Sequence, residues 1–549
     1  MPISAMSPPT TDKKATISGE DIVDVGNTDE MANDDMQKVL HVKEVQGSEA
    51  WAHAISTAPP KRLSRNTILV YLMCIAPFMC GTMAGYDGSV MGSFLVEDSF
   101  QDLFGASVNG FKAGYITAMY QIAGVAAIPF IGPAMDILGR RGCIFLGCAT
   151  SVMGAVIQGT SARTGSLGQF LAGRFFLGFG AVIAQAAGPT YCVEIAHPSQ
   201  RGLLAGAQSS MQNFGGLIAA AVTLGTVNLQ GNDAWLIPTW TQLACPSVAC
   251  LMIMLQPESP RWLYTHNKKE QALAFITKYH GDGDAENPWV KLQLAEFEEQ
   301  LELDGSDKRW YDYRCLFTTR ARRFRLWNSL MIGIWGALSN GGISYFVGAF
   351  FDSAGITDAE TVLQYNVWQN FMSTMASFIG SPLSDSLGRR TLLLPTLMGM
   401  ALSWAGMAAG TAVVEADASN ASAAKAGIAF YFIFSFIYCV GITPLQGVYA
   451  VEVFSYEQRA KGVAFQSLVV SAVSLINQFG TPVALEAIGY KTYIIFAVWN
   501  LVEFAISYFF SVETKGYTLE ELDGIFNSKN PVKASLAKSQ VLTAEAAAA

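Results

Sequence analysis

Residues 136–141 read Asp-Ile-Leu-Gly-Arg-Arg, and residues 385–390 read Asp-Ser-Leu-Gly-Arg-Arg, 249 positions later. Each hexapeptide follows a long apolar run and precedes another. A second pair of signals keeps the same spacing. Glu194 and Arg201 stand seven residues apart, and so do Glu452 and Arg459, 258 positions further on. Matched charge clusters in two stretches of equal length describe an internal duplication, and six apolar runs surround the clusters in each stretch. Parallel repeats of this kind are a hallmark of secondary transporters.

The apolar runs themselves lie at about 67–91, 112–134, 142–161, 166–192, 201–228, 236–256, 326–352, 364–386, 391–412, 424–451, 460–483 and 489–511. Roughly 20 apolar residues cross the ~30 Å hydrocarbon of a bilayer as a helix. In lipid each backbone polar group needs a partner within its own segment, so helices are the expected form. The expectation is an all-α membrane protein of 12 transmembrane helices in two six-helix repeats. It comprises a cytoplasmic tail (1–62), a first half (63–256), a helical cytoplasmic linker (257–325), a second half (326–511) and a cytoplasmic C-terminal tail (512–549). Within the linker, 268–280 and 290–303 carry helical apolar spacing with charged faces.

Composition agrees. Of 549 residues 51% are hydrophobic and 14% charged, with mean hydropathy +0.30. Soluble domains run near ~25% charged, so a chain of this length lacks the polar surface to be a soluble enzyme. The net charge of −9 is concentrated in residues 1–50, with ten acids against four lysines. That tail reads as disordered and the balance argues against nucleic-acid binding. The nine cysteines form no Cys-x-x-Cys pair, and the five histidines (His41, His53, His197, His266, His280) all fall outside the spans. Neither a metal site nor a cofactor is expected.

Loop charges set the orientation. Arg140, Arg141, Arg201, Arg389, Arg390, Arg459 and Lys461 share one side with Lys61, Arg62 and Arg65, whereas the other side holds Lys112, Arg163, Lys425 and Lys491. By the positive-inside rule the first side is cytoplasmic, and so are both termini. Asn420, in an Asn-Ala-Ser sequon on the other side, is then a glycosylation candidate.

The chain resembles the major facilitator superfamily, and within it the sugar porter family. The resemblance covers about 67–525. It rests on GYDGSVMG (85–92), DILGRR (136–141), GRFFLGFG (173–180), PTYCVEI (189–195), PESPRWL (257–263), DSLGRR (385–390) and VETKGYTLEEL (512–522). KYHGDGD (278–284) and TPLQGVYAVEVFSYEQRAKG (443–462) look most like the fungal lactose and cellodextrin permeases. The resemblance implies a plasma-membrane carrier of a sugar, a disaccharide or hexose, working by alternating access with proton symport. It does not imply an oligomer. The alternatives are a carrier or exporter of another small polar metabolite, and a non-transporting sugar sensor.

Charges on the cytoplasmic side are expected to pair between helices and gate the inner face: Asp136 with Arg140 and Arg141, Glu194 with Arg201, and likewise Asp385, Arg389, Arg390, Glu452 and Arg459. A charge inside a span is costly and normally faces a cavity or a partner. Asp87 and Arg174 lie at one depth on antiparallel spans and form the expected pair, the acid being the proton-coupling group that the resemblance implies. Glu503 is a further acid within the last span. A sugar needs carboxamides as paired donors and acceptors, with aromatic platforms. Gln185, Gln208, Gln212, Asn340, Tyr345, Gln369, Gln446 and Tyr449 are the candidates, with Asn366, Asn370, Tyr438 and Asn477 nearby. The seventh span departs from the family pattern. Gly336 and Ala337 stand where glucose-type porters carry two glutamines. Asn340, Ser344 and Tyr345 fit the disaccharide branch, whose own glutamine is again replaced by Gly336.

Overall fold

The structure, a computed structural model, describes residues 56–59, 64–105, 111–304, 313–340, 348, 350–351, 358–417, 420–454, 456–515, 517 and 519–537. Residues 1–60 and 61–549 form two separate units, and the helical bundle belongs to the second. Among the described residues it is built of helices. Twelve long ones follow the predicted spans: α1 Arg65–Phe94, α2 Phe111–Ile137, α3 Gly139–Thr164, α4 Leu167–Ile195, α5 Arg201–Thr226, α6 Asp233–Met254, α7 Arg320–Leu338, α8 Ala359–Leu387, α9 Arg389–Ala416, α10 Ala421–Val453, α11 Tyr456–Ile488 and α12 Lys491–Phe510. Lys269–Tyr279 and Pro288–Asp304 are helical, as their spacing predicts, and the short helix Pro260–Thr265 precedes them.

Nine of the twelve are long and apolar enough to cross a membrane by composition alone. The other three are α5, α7 and α8. Their polar residues explain the shortfall: Gln208, Gln212 and Asn213 on α5, Arg320, Arg322, Arg323 and Arg325 at the start of α7, and Asn366, Gln369 and Asn370 on α8. An amide in a span is tolerated where it faces protein or a cavity rather than lipid.

Between membrane helices the drive is close packing, which favours small residues. Helices α3 and α4 show it. A Cβ at Gly154 would stand 2.3 Å from the Leu177 amide, and one at Gly180 would stand 2.3 Å from the Gly147 carbonyl. Separate apolar cores form in the two halves, one around Tyr191 and Ile253, the other around Trp335, Trp404 and Tyr431.

Helix α7 ends inside the structure at Leu338, so its last carbonyls need outside donors. They come from three helices. Tyr438 on α10 donates to Gly336 O at 2.8 Å, Asn477 on α11 to Ala337 O at 2.5 Å and Leu338 O at 3.3 Å, and Trp404 on α9 to Ser339 O at 3.1 Å. Tyr438 and Asn477 are thereby spent on the backbone rather than offered to a solute. Replacing Asn477 by Ala would orphan two part-buried carbonyls, at ~1–3 kcal/mol for a fully buried group and less here. A lower melting temperature of the detergent-solubilised protein is the expected result, checked by thiol-reactive dye unfolding.

Cross-half hydrogen bonds gather at the end opposite the arginine clusters. Asn366 donates to Ser93 at 3.3 Å and Asn370 to Ser89 at 3.4 Å, with Asn228 and Glu360 beyond them at 3.4 Å. A close approach of Gly206 to Ser381 carries the α5–α8 contact toward the basic end. Among the described residues, the Arg140–Glu194 and Arg389–Glu452 ion pairs each stay within one half.

Candidate functional site

The basic end carries one construction twice. In the first half Arg140, at the start of α3, pairs with Glu194 near the end of α4, Nε to Oε2 at 3.0 Å. Glu258, just beyond α6, accepts the backbone amides of Arg140 at 3.1 Å and Arg141 at 3.2 Å. In the second half Arg389 pairs with Glu452 at 2.6 Å, and Glu513 accepts Arg389 N at 2.9 Å and Arg390 N at 3.0 Å. Ser259 Oγ donates to Glu194 at 2.5 Å, and Thr514 Oγ1 to Glu452 at 2.5 Å. Arg141 reaches Met254 O at 2.6 Å, and Arg390 reaches Ser511 O at 2.6 Å.

Sequence spacing mispaired these groups. Glu194 takes Arg140, not Arg201, because Arg201 opens α5 and turns to Glu296 of the linker at 3.5 Å. Asp136 is exposed, and among the described residues its carboxylate has no ion pair, while its carbonyl accepts from Trp262 Nε1 at 2.9 Å. The side chains of Asp385 and Arg459 lie outside the described residues. Sequence reasoning missed Glu258 and Glu513 as members of the network. The signal was present: each is the acid of a Pro-Glu-Ser or Val-Glu-Thr triplet directly after the sixth helix of its half.

A carboxylate against two consecutive amides caps a helix start and complements its dipole. The glycine before each arginine pair makes room for it. Gly139 has φ +76° and Gly388 φ +98°, and a Cβ there would stand 2.4 Å from Glu258 Oε2 or 2.8 Å from Glu513 Oε2. Burial pushes the Glu258 carboxyl above its usual range, against the pull of the Ser259, Arg141 and Arg140 amides. The linker is tied to the same face through His280, whose ring nitrogens lie 2.9 Å from Gln293 Oε1 and 3.0 Å from Ile195 O. Burial pushes His280 down to about 4, so this tie stays neutral near pH 7.

Deeper in the first half, Arg174 on α4 meets Asp87 on α1, Nη1 to Oδ1 at 3.0 Å. Gln242 adds a hydrogen bond to the same oxygen at 3.2 Å, and the guanidinium lies 5.7 Å from the Tyr120 ring centroid. Asp87 is 1% exposed and Arg174 0%. Asp87 Oδ2 and Arg174 Nε and Nη2 have no partner among the described residues.

The amide candidates divide into engaged and free. Gln369 is spent on Ser373 at 3.0 Å and Ser435 at 3.4 Å, and Gln208 donates to Pro77 O at 3.0 Å. Tyr449 corrects the sequence expectation. It is buried, with its hydroxyl held between Asn328 Oδ1 at 3.1 Å and Val512 O at 2.8 Å, so it presents nothing to a solute. Gln185, Asn340 and Gln446 are half-buried and Gln212 is exposed, and none has a side-chain hydrogen bond among the described residues. They come from both halves: α4, α5, the end of α7 and α10. Tyr345 lies outside the described residues.

At Gly336 the structure adds what the sequence left blank. A Cβ there would stand 1.8 Å from Gln446 Nε2. The space beside Gly336 on α7 is filled by a carboxamide from α10. Asn420 is exposed and caps α10 by accepting the Ala423 amide at 3.1 Å.

Comparison with known proteins places this architecture. The family model described as "Sugar (and other) transporter" matches residues 73–526. The high-affinity glucose transporter of Kluyveromyces lactis is 26% identical, over 84% of this chain and 85% of its own length. MFS-type transporter criB of Aspergillus cristatus is 28% identical, over 83% and 93%. Among solved structures, the proton:xylose symporter XylE superposes with a TM-score of 0.68 at 19% identity, covering 84% of this chain and all of that one. Twelve helices, a duplicated arginine–glutamate clasp and a family match over most of the length converge: the chain belongs to the sugar (and other) transporter family, within the major facilitator superfamily.

Proposed function

We propose that the protein carries a sugar, a disaccharide or hexose, across the plasma membrane by alternating access, with proton symport. The observation that carries the coupling is the buried Asp87–Arg174 pair. The guanidinium attracts the ionised carboxylate, and protonation removes that attraction. One proton at Asp87 therefore frees Arg174, and re-pairing expels the proton. The basic end faces the cytoplasm in this reading, with both termini, and Asn420 lies outside and is glycosylated. The arginine–glutamate clasps are gating elements: they tie helix ends within each half, so the halves move as bodies about the α2–α11 and α5–α8 contacts. Because the cross-half hydrogen bonds lie at the far end, this conformation is closed toward the exterior.

Gln185, Gln212, Asn340 and Gln446 are the solute-binding amides. The KYHGDGD and TPLQGVY segments support the lactose and cellodextrin permease branch for this chain. Gly336 favours a second reading, a carrier of a less hydroxylated polar metabolite, because α7 lacks the glutamine of the sugar pattern.

Uptake in a transporter-null yeast tests this, with labelled lactose, cellobiose, maltose, glucose and xylose, each with and without a protonophore. Protonophore-sensitive accumulation of one sugar is expected. Absence of uptake with the protein at the cell surface would overturn the sugar reading and favour the second. For Asn340→Ala, the loss of a paired donor and acceptor is expected to raise KM about tenfold with little change in maximal rate, about 1.4 kcal/mol of binding. Unchanged kinetics would remove Asn340 from the site.

A further inference from the structure

We propose that Glu503 is a second proton-binding site, in the second half, where its carboxyl holds a proton against the broken end of α7. The inference rests on the proton-coupled reading above. Glu503 lies within α12 and is 0% exposed. Snorkelling to an interface is thereby excluded. The Ser339 hydroxyl donates to Glu503 Oε2, while Oε1 is buried with no partner among the described residues. No described ion pair involves it.

The surroundings explain why. Helices α7, α9 and α11 pack against α12. Residues 326–338 of α7, 391–414 of α9 and 462–485 of α11 contain no Asp, Glu, Lys, Arg or His. On α12 itself Tyr493 and Tyr508 are the other titratable groups between Lys491 and Phe510, and on α10 the facing titratable side chain is Tyr438. Tyr438 already donates its proton to Gly336 O. An ionised carboxylate here would sit in apolar surroundings with the Ser339 hydroxyl as its donor, the Trp499 indole beside it and no counter-charge among the described residues, which is costlier than the neutral acid. The acid is accordingly neutral in this conformation. The two halves thus treat their buried acids oppositely: Asp87 with a guanidinium, Glu503 with a hydroxyl.

Ser339 gives the proton a mechanical address. It follows the last turn of α7 and precedes Asn340, and its carbonyl accepts from Trp404. The Glu503 carboxyl is therefore the link from α12 to the point where α7 is interrupted. Movement of that junction exposes the carboxyl to water, which accepts the proton and leaves a carboxylate. Return of the junction requires the proton back.

The test is infrared difference spectroscopy of the full-length protein in lipid nanodiscs, titrated from acid to alkaline buffer without solute. The wild type is expected to show the C=O stretch of a protonated carboxyl at neutral pH, lost in alkaline buffer. Glu503→Gln, which keeps an acceptor for Ser339, removes that band. Asp87→Asn leaves it, and Ser339→Ala shifts its frequency without abolishing it. A spectrum unchanged by Glu503→Gln, or a band that no alkaline buffer removes, overturns the proposal. A Glu503→Gln variant that fails to fold is replaced by Glu503→Asp, for which a displaced band is expected and an unmoved one is fatal. Accumulation insensitive to protonophore would sink the symport reading while leaving the band. Protonophore-sensitive accumulation without the band would sink only the second site.

Discussion

Asp87→Asn is expected to abolish accumulation against a gradient and also to lower the amount of folded protein. Both effects follow from one contact. Arg174 is fully buried, and Asp87 Oδ1 is its ionic partner. An amide at 87 can still accept from Arg174 and from Gln242, but it cannot neutralise the charge. Removing one partner of a buried pair costs about 3–5 kcal/mol, because the surviving charge is left uncompensated. The proton-binding role proposed for Asp87 is lost outright, since asparagine does not titrate. Folding and coupling are separated by the double variant Asp87→Asn/Arg174→Gln. Surface abundance should recover there, while accumulation of the transported solute stays at the protonophore-treated level. Abundance measured by fluorescent fusion and accumulation measured by labelled uptake report the two effects independently. Full accumulation in the single variant would remove Asp87 from the coupling mechanism.

Glu513→Gln should be the most damaging single change at the basic end. Glu513 accepts the amides of Arg389 at 2.9 Å, Arg390 at 3.0 Å, and Thr514 and Lys515 at 3.0 Å each. Four hydrogen bonds converge on one buried carboxylate, and bonds to a charged acceptor contribute about 1.5–3 kcal/mol each. A glutamine keeps one oxygen and turns an NH2 toward amides that need acceptors. The start of α9 then loses its cap, and Arg389 loses the frame that holds it on Glu452. Misfolded, retained protein is expected, read by size-exclusion profile and surface signal. Glu258→Gln should be milder, since Glu258 serves three amides, those of Arg140, Arg141 and Ser259. Equal tolerance of both changes would show that the clasps are not the anchors the geometry makes them.

Much of the fold was legible because hydrocarbon is an unforgiving solvent. Each apolar run had to be a helix, and the positions of Gly139 and Gly388 before paired arginines marked the same turn twice. The Asp87–Arg174 pair was legible for a related reason, since charges inside spans are few and these two, of opposite sign, lie at one depth. Pairing at the basic end was not. Glu194 and Arg201 are seven residues apart in sequence, yet a helix end and a new helix start intervene and point them at different neighbours. Tyr449 misled for the opposite reason. An aromatic three residues from Gln446 resembles a sugar platform, but its hydroxyl was claimed by a backbone carbonyl 63 residues away. Nor could the chain alone reveal that Gln446 fills the space beside Gly336, because that contact crosses two helices.

The clasps also set a timetable for making the protein. The amide of Arg140 waits for a carboxylate 118 residues further along the chain, and that of Arg390 waits for one 123 residues on. A ribosome adding about 5–20 residues per second takes roughly 6–24 seconds to cover such an interval. Through that time α3 and α9 sit in the bilayer with unfinished ends. Neither is complete until the sixth span of its own half has emerged. The unit that the insertion machinery must shelter is therefore a whole half rather than a helical hairpin, and each half is sealed by the residue that comes off the ribosome just after its last span.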